Sequence, residues 1–213
     1  MGILPTPLSV LARPGLPALA VFIVVMLAGC ARQPVQLLQP DRAALWGAHR
    51  AHLTELQDWQ FRGRIAVWLE KDAWSATLYW RETRDTYTLR VIAPLGRGTF
   101  ELSGTAAGVE LHTADNRILR AADPDALLRD NLGWHLPVSG LRWWVRGLSH
   151  PGVSPGHLEI NDKGMLDELT QDGWQVEYQE YRPGAEPVLP GRMSLKNGAV
   201  RVRLVISEWM KAS

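Results

Sequence analysis

The chain has 213 residues, 46% of them hydrophobic, and its 23 basic side chains face 22 acidic ones. That length supports one sizeable core, and so balanced a charge, with no Lys/Arg-rich run, removes the electrostatic attraction behind nonspecific nucleic-acid binding. A single cysteine excludes an internal disulfide and a thiolate metal site, because each needs a second sulfur.

The first feature along the chain accounts for that cysteine. After Arg13, residues 16–28 are apolar and uncharged, but a span this short does not cross a bilayer, which takes ~20 residues. It fits the apolar middle of a secretory signal peptide. Leu27-Ala28-Gly29-Cys30 has the form of the bacterial lipobox, in which the cysteine is lipidated and becomes the mature N-terminus. The expected division is a signal peptide over residues 1–29, lipidated Cys30 with a flexible tether over residues 30–40, and one domain over residues 41–213. Losing the signal peptide removes Arg13 and leaves basic and acidic side chains equal in number. Ala31 and Arg32 follow the cysteine with no Asp beside it, and we infer sorting to the outer membrane. Residues 31–40 hold two prolines and three glutamines without periodicity, which reads as a semi-extended linker.

Asp41 is placed to cap a helix over residues 42–57, with Leu45, His49, His52, Leu53 and Leu56 along one side. From Gln60 the period changes to two. Phe61, Gly63, Ile65, Val67 and Leu69 alternate with Arg62, Arg64, Ala66 and Trp68; after a Lys71-Asp72 turn, Trp74, Ala76, Leu78 and Trp80 alternate with Ser75, Thr77 and Tyr79. A third strand covers residues 87–92. The turn Ala93-Pro94-Leu95-Gly96-Arg97-Gly98 separates it from a fourth at 100–102, and shorter strands follow at 109–112 and 117–119. Two helical pieces come next. Asp123-Pro124 opens one that Gly133 closes, and Ser139 is expected to cap another with Leu141, Trp144, Val145 and Leu148 on its face. Strands return at 157–160, 165–170, 174–181, 192–195 and 200–206, with Asp172-Gly173 and Asn197-Gly198 as tight-hairpin signals. About ten sequential antiparallel strands with helices inserted mid-chain point to a barrel or half-barrel whose opening the helices cover.

A search for catalytic chemistry finds no convincing constellation. His49 and His52 lack an HExxH context, and there is no GxSxG elbow, P-loop or GxGxxG. Asp115, Asp123 and Asp125 assemble with His112 or His135 into a triad only on paper. Glu101 and Glu110 fall on the solvent side of their strands. Neither an enzyme nor a cofactor or metal site is expected. What stands out is ten tryptophans. They read either as ordinary core or as the wall of a cavity for an apolar ligand beneath amphipathic helices. Leu95, between Pro94 and Gly96, either folds back over the sheet edge or stands exposed at a loop tip, suited to entering another hydrophobic site or a membrane.

Several segments together resemble the outer-membrane lipoprotein receptor family LolB. They are FRGRIAV (Phe61 to Val67), LYW (Leu78 to Trp80), APLG (Ala93 to Gly96), LPVSGLRWWVRGL (Leu136 to Leu148), GWQVEYQEY (Gly173 to Tyr181) and RVRLVISEW (Arg201 to Trp209), in this order behind a lipobox. The resemblance implies a mainly β fold: a half-open antiparallel β-barrel of about eleven strands, with an inserted helical lid and an N-terminal helix. It implies a monomeric protein, lipid-anchored at the Gram-negative outer membrane and facing the periplasm. Such a protein accepts the acyl chains of lipoprotein cargo from a LolA-like periplasmic carrier and passes them to the inner leaflet of the outer membrane. Leu95, with Pro94 and Gly96, matches the family's membrane-insertion loop. Trp80, Leu89, Trp144 and Trp174 are expected to line the acyl-chain cavity. The continuation Arg97-Gly98 makes the loop more basic than the family pattern. A structural lipoprotein of an envelope assembly complex is the alternative reading.

Overall fold

The computed structural model describes residues 41–94, 98–183 and 187–210. Asp41 accepts a hydrogen bond from the Ala43 amide at 2.9 Å and opens α1 (Arg42–Glu55). The expected stripe is rotated: Trp46 turns inward and His52 outward, and Leu53 is the fully buried residue. Six strands follow: β1 (Asp58–Trp68), β2 (Ala73–Thr83), β3 (Thr86–Ile92), β4 (Phe100–Thr105), β5 (Gly108–Thr113) and β6 (Ile118–Ala121). Then come α2 (Pro124–Leu132) and α3 (Val138–Trp144). The chain finishes with β7 (His157–Ile160), β8 (Leu166–Gln171), β9 (Trp174–Arg182), β10 (Leu189–Asn197) and β11 (Val200–Met210).

All eleven strands form one antiparallel sheet in the order β6-β5-β4-β3-β2-β1-β11-β10-β9-β8-β7. The first and last strands therefore pair at its centre, while β6 and β7 are its free edges. The segment between those edges carries α2 and α3, so the fold is a half-open barrel with a helical insert. Successive side chains on a strand point to opposite faces, and the buried parity is continuous across the sheet. Trp59, Phe61, Ile65 and Val67 of β1 share a core with Leu78 and Trp80 of β2, Leu89 of β3, Val202 and Leu204 of β11, and Val176 of β9. The outward parity carries Arg62, Arg64, Tyr79, Arg90 and Arg203.

Two glycines permit close approaches. At the irregularity between Arg62 and Gly63, a Cβ on Gly63 would stand 2.7 Å from the Val205 carbonyl. Gly104 lies under the ring of Tyr87, its cross-strand partner, where no side chain fits. The Asp172-Gly173 hairpin adopts positive φ at both residues (52° and 75°), as its sequence signal requires.

The insert departs from its expected capping. Asp123 caps α2 through a 2.9 Å bond from the Asp125 amide, and Gly133 closes it at φ 63°. Ser139, however, is not a cap. The helix starts at Val138 behind Pro137, two residues earlier than a Ser139 cap implies, and its first amides donate to the Asp125 carboxylate of α2, Val138 at 2.6 Å and Ser139 at 3.3 Å. A carboxylate supplied from the neighbouring helix does a local cap's work, and local sequence rules miss such a distant acceptor. Leu148 also leaves the predicted face and packs with Leu53 and Leu189 in a separate small cluster.

Candidate functional site

The site is the concave face and the helix laid on it. Trp80, Leu89, Trp144 and Trp174 come from β2, β3, α3 and β9, and they meet in one apolar cluster with exposures of 1, 1, 0 and 5%. Trp80 sits in an aromatic run: Trp59 and Phe61 stack at 6.0 Å, Trp59 and Trp80 lie 5.8 Å apart, and Trp80 and Tyr87 6.2 Å. A second aromatic group lies under the end of α2, where Trp134 packs on Trp74 at 4.8 Å and edge-on to Phe100 at 5.3 Å. Trp68 faces outward beneath Arg203, as the strand parity requires.

The concave side is filled by the protein's own side chains, and Trp144 is the central plug. Its indole N–H donates to Gln171 Oε1 at 2.9 Å, and its carbonyl accepts from the Tyr178 hydroxyl at 3.0 Å. Gln171 is itself 1% exposed. It accepts from the His150 amide at 2.8 Å and donates to the His150 carbonyl at 2.9 Å and to the Val153 carbonyl. Both ends of this buried amide are satisfied, which offsets its burial cost.

A second polar tie holds the other side of α3. Glu82 lies at an inward position of β2, continuing the series Trp74, Ala76, Leu78, Trp80, and pairs with Arg142 of α3 through Nε at 3.0 Å and through Nη2. Trp80 Nε1 donates to the same carboxylate at 3.3 Å. Burial raises the Glu82 pKa above 4.5, outweighing the opposing pull of Arg142. Beyond it, Arg146 donates to the Leu53 and Leu56 carbonyls at 3.4 and 3.0 Å and lies 4.8 Å over Trp143, joining α1 to the insert. Desolvation brings its pKa down to about 10.

Trp80, Leu89, Trp144 and Trp174, expected to line a cavity, are buried together in one apolar cluster, and sequence reasoning missed Glu82, Arg142, Arg146 and Gln171 beside them. Strand parity alone would have flagged Glu82, since it places a carboxylate on the apolar side of β2. The carboxylates proposed on paper for a triad are committed elsewhere. Asp123 and Asp125 cap helices, and Asp115 pairs with Arg117 at 2.7 Å at an exposed turn. Pro94 is described and exposed, whereas Cys30, Leu95 and Gly96 fall outside the described residues.

An apolar concave sheet, roofed by a short helix on a few polar ties, defines a half-barrel of the binding and carrying kind. Two solved structures share the fold. A putative outer membrane lipoprotein-sorting protein domain from Vibrio parahaemolyticus has TM-score 0.54 at 9% identity, over 79% of this chain and 91% of that one. A LolA superfamily protein from Nitrosomonas europaea has TM-score 0.52 at 6% identity, over 80 and 92%. The sequence goes further. The family model "Outer membrane lipoprotein LolB" matches residues 57–209. The outer-membrane lipoprotein LolB of Pseudomonas fluorescens (strain Pf-5) is 41% identical over 191 residues, covering 88% of this chain and 92% of its own. That of Stutzerimonas stutzeri (strain A1501) is 40% identical over 193 residues, covering 90 and 93%. The chain belongs to the LolB family of outer-membrane lipoproteins. It acts in lipoprotein localisation at the Gram-negative outer membrane and is not an enzyme.

Proposed function

We propose that this chain, anchored through acylated Cys30, accepts lipidated proteins from a periplasmic LolA-like carrier and delivers their acyl chains to the inner leaflet of the outer membrane. The carrying observation is the concave face of a LolB-family half-barrel, where an aromatic wall is roofed by a short helix packed through Val138, Leu141 and Trp144 and tied by a few polar bonds. Room for acyl chains comes from moving α3. When Trp144 withdraws, the surface around Trp80, Leu89 and Trp174 is the apolar bed that receives cargo. Each methylene is worth about 0.8 kcal/mol against water, so three acyl chains do not cross the periplasm exposed. Contact between two apolar beds avoids that barrier, and a downhill affinity difference moves the chains without nucleotide.

Delivery is assigned to the Pro94-Leu95-Gly96 loop, whose leucine enters the leaflet. The assay is transfer of a lipidated protein from its carrier to the purified acceptor, followed by transfer to liposomes. Leu95→Glu should leave the first step intact and abolish the second. If cargo stays on the carrier at excess acceptor, the reading is wrong; if both steps fall equally, the role given to Leu95 is wrong. A purely structural lipoprotein would neither deplete the carrier nor bind fluorescent fatty acids.

A further inference from the structure

The outward face of the sheet is not used by the acyl-chain reading, and its charge is unevenly distributed. In register across β7, β8 and β9 stand Glu159, Glu168 and Glu177. The row continues through Ser194 of β10 to Arg203 of β11 and Ala66 of β1. From β11 to β3 the outward face is basic: Arg62, Arg64, Arg81, Arg90, Arg201 and Arg203 are all exposed. Among the described residues none of the six pairs with a carboxylate. Arg62 and Arg203 lie over the rings of Tyr79 and Trp68 at 5.7 and 5.8 Å, and Arg81 donates to Gln60 at 3.1 Å. Glu208 of β11 and Glu101 of the neighbouring β4 stand opposite Arg62 and Arg90 in register without forming an ion pair, and Asp58 of β1 accepts from the Arg84 amide at 3.1 Å. Each kind of charge would be diluted by mixing, and like charges directly across strands cost stability. The separation is a bias: Asp58 and Glu208 lie among the six arginines, and Lys196 of β10 lies beside the glutamate row.

A groove of about 610 Å³ straddles the two halves and brings Arg201 and Arg203 to the same hollow as Glu168 and Glu177; two smaller ones open on the basic half. One, of about 370 Å³, places Arg81 and Arg90, with Glu101 beside them, around Tyr79 and Met210, which are 37 and 36% exposed. The other, of about 320 Å³, is bordered by Arg64, Thr77, Ile92 and Pro94. The basic half therefore reaches the foot of the Leu95 loop. Unpaired guanidiniums beside half-exposed Tyr, Trp and Met side chains match a bilayer interface, where phosphates and the first methylenes lie side by side.

We propose that this face, from β11 to β3, docks on anionic phospholipid headgroups of the leaflet that holds the anchor, and so fixes which way the half-barrel faces. The inference rests on the anchoring reading above. Ten residues, 31–40, separate Cys30 from the first helix cap and reach at most roughly 35 Å. Part of the folded body must then stand close to the leaflet. Attraction at the arginine half and repulsion at the Glu159, Glu168, Glu177 row select one orientation, with Ile92 and Pro94 on the membrane side.

Cys30 is the chain's only cysteine and is acylated in the mature protein under this reading, so an added cysteine is a unique free thiol. Ser75→Cys on the basic half and Gln175→Cys on the acidic half are labelled with a donor fluorophore in the full lipidated protein. Each is then reconstituted in vesicles carrying an acceptor lipid, made either of phosphatidylcholine or of phosphatidylcholine with phosphatidylglycerol. The expected result is stronger energy transfer from position 75 in the anionic vesicles, reversed by high salt, with no gain at position 175. In the Arg64→Gln/Arg203→Gln background the ratio of docked to undocked protein should fall about fivefold per arginine. Thermal midpoint and cargo receipt from the carrier in the absence of vesicles should be unchanged. Equal transfer in both vesicle types, or a gain that the double variant retains, overturns the proposal. So does loss of cargo receipt in solution with membrane docking intact, which would assign the face to an acidic protein partner. Failure of wild-type cargo receipt would remove the acceptor reading while leaving the docking readout interpretable.

Discussion

Tyr87 shows how a single side chain serves two purposes at once. Its ring covers Gly104 and carries the Arg142 guanidinium 4.8 Å above it, yet its buried hydroxyl has no hydrogen-bond partner among the described residues. Burial pushes its pKa above the ordinary tyrosine range. Leaving a buried hydroxyl unpaired costs about 1–3 kcal/mol, so Tyr87→Phe should raise stability by about 1 kcal/mol in denaturant unfolding. A loss of stability would mean that the hydroxyl is satisfied. Gly104→Ala should do the opposite, because a methyl group enters the ring; a cost of about 1–3 kcal/mol is expected. Glu82 gives a pH signature. Its folded pKa lies above the ordinary 4.5, so the folded state holds the proton more tightly than the unfolded chain. The stability this proton contributes is complete below pH 4.5 and is lost as pH rises through the folded value. Relative to Glu82→Gln, the wild type should therefore gain thermal stability as pH falls from neutral toward 4.5. Parallel pH profiles would contradict the raised value.

At the scale of elements, α3 is the part whose sequence and behaviour diverge most. It has seven residues, short for a helix that stands alone, and it is held from outside by the Asp125 carboxylate, the Glu82–Arg142 pair and Gln171. Trp144→Ala removes the plug and its bond to Gln171, and should cost about 3–5 kcal/mol if the space stays empty. In a lipid-carrying bed the same variant should bind fluorescent fatty acid more tightly, because the lid no longer competes. Reduced stability without enhanced binding would count against that bed. The strands were legible because inward apolar residues recur every second position. Residues 60–80 gave the alternation of the first hairpin, while which of its tryptophans turn inward was left to the register, and the structure puts Trp68 outside. The caps and ties of α3 were not, since Asp125, Glu82 and Gln171 reach it from α2, β2 and β8. Such long-range polar partners carry no local periodicity.

On the scale of the whole domain, pairing β1 with β11 places the longest sequence separation at the centre of the sheet. Folding must close that loop before the two halves share a core, so refolding on the slow ms–s side of small-domain kinetics is expected by stopped-flow fluorescence. The ten tryptophans give the signal. Single-exponential recovery within microseconds would show that the halves fold without waiting for each other. The family segments from Phe61 to Trp209 made the overall architecture readable from sequence. The burial of the concave face under Trp144 was not readable, since only packing decides whether such a bed is open or occupied.

Because β6 and β7 stay unpaired with each other, residues 122–156 act as a strap across a slit in an otherwise continuous wall. The girth of the bed is then governed by the length of that strap as well as by the side chains lining it. Adding or deleting a few residues at the polar turn before His157 should widen or narrow the slit, and with it the bulk of acyl chain admitted, while every wall residue stays as it is.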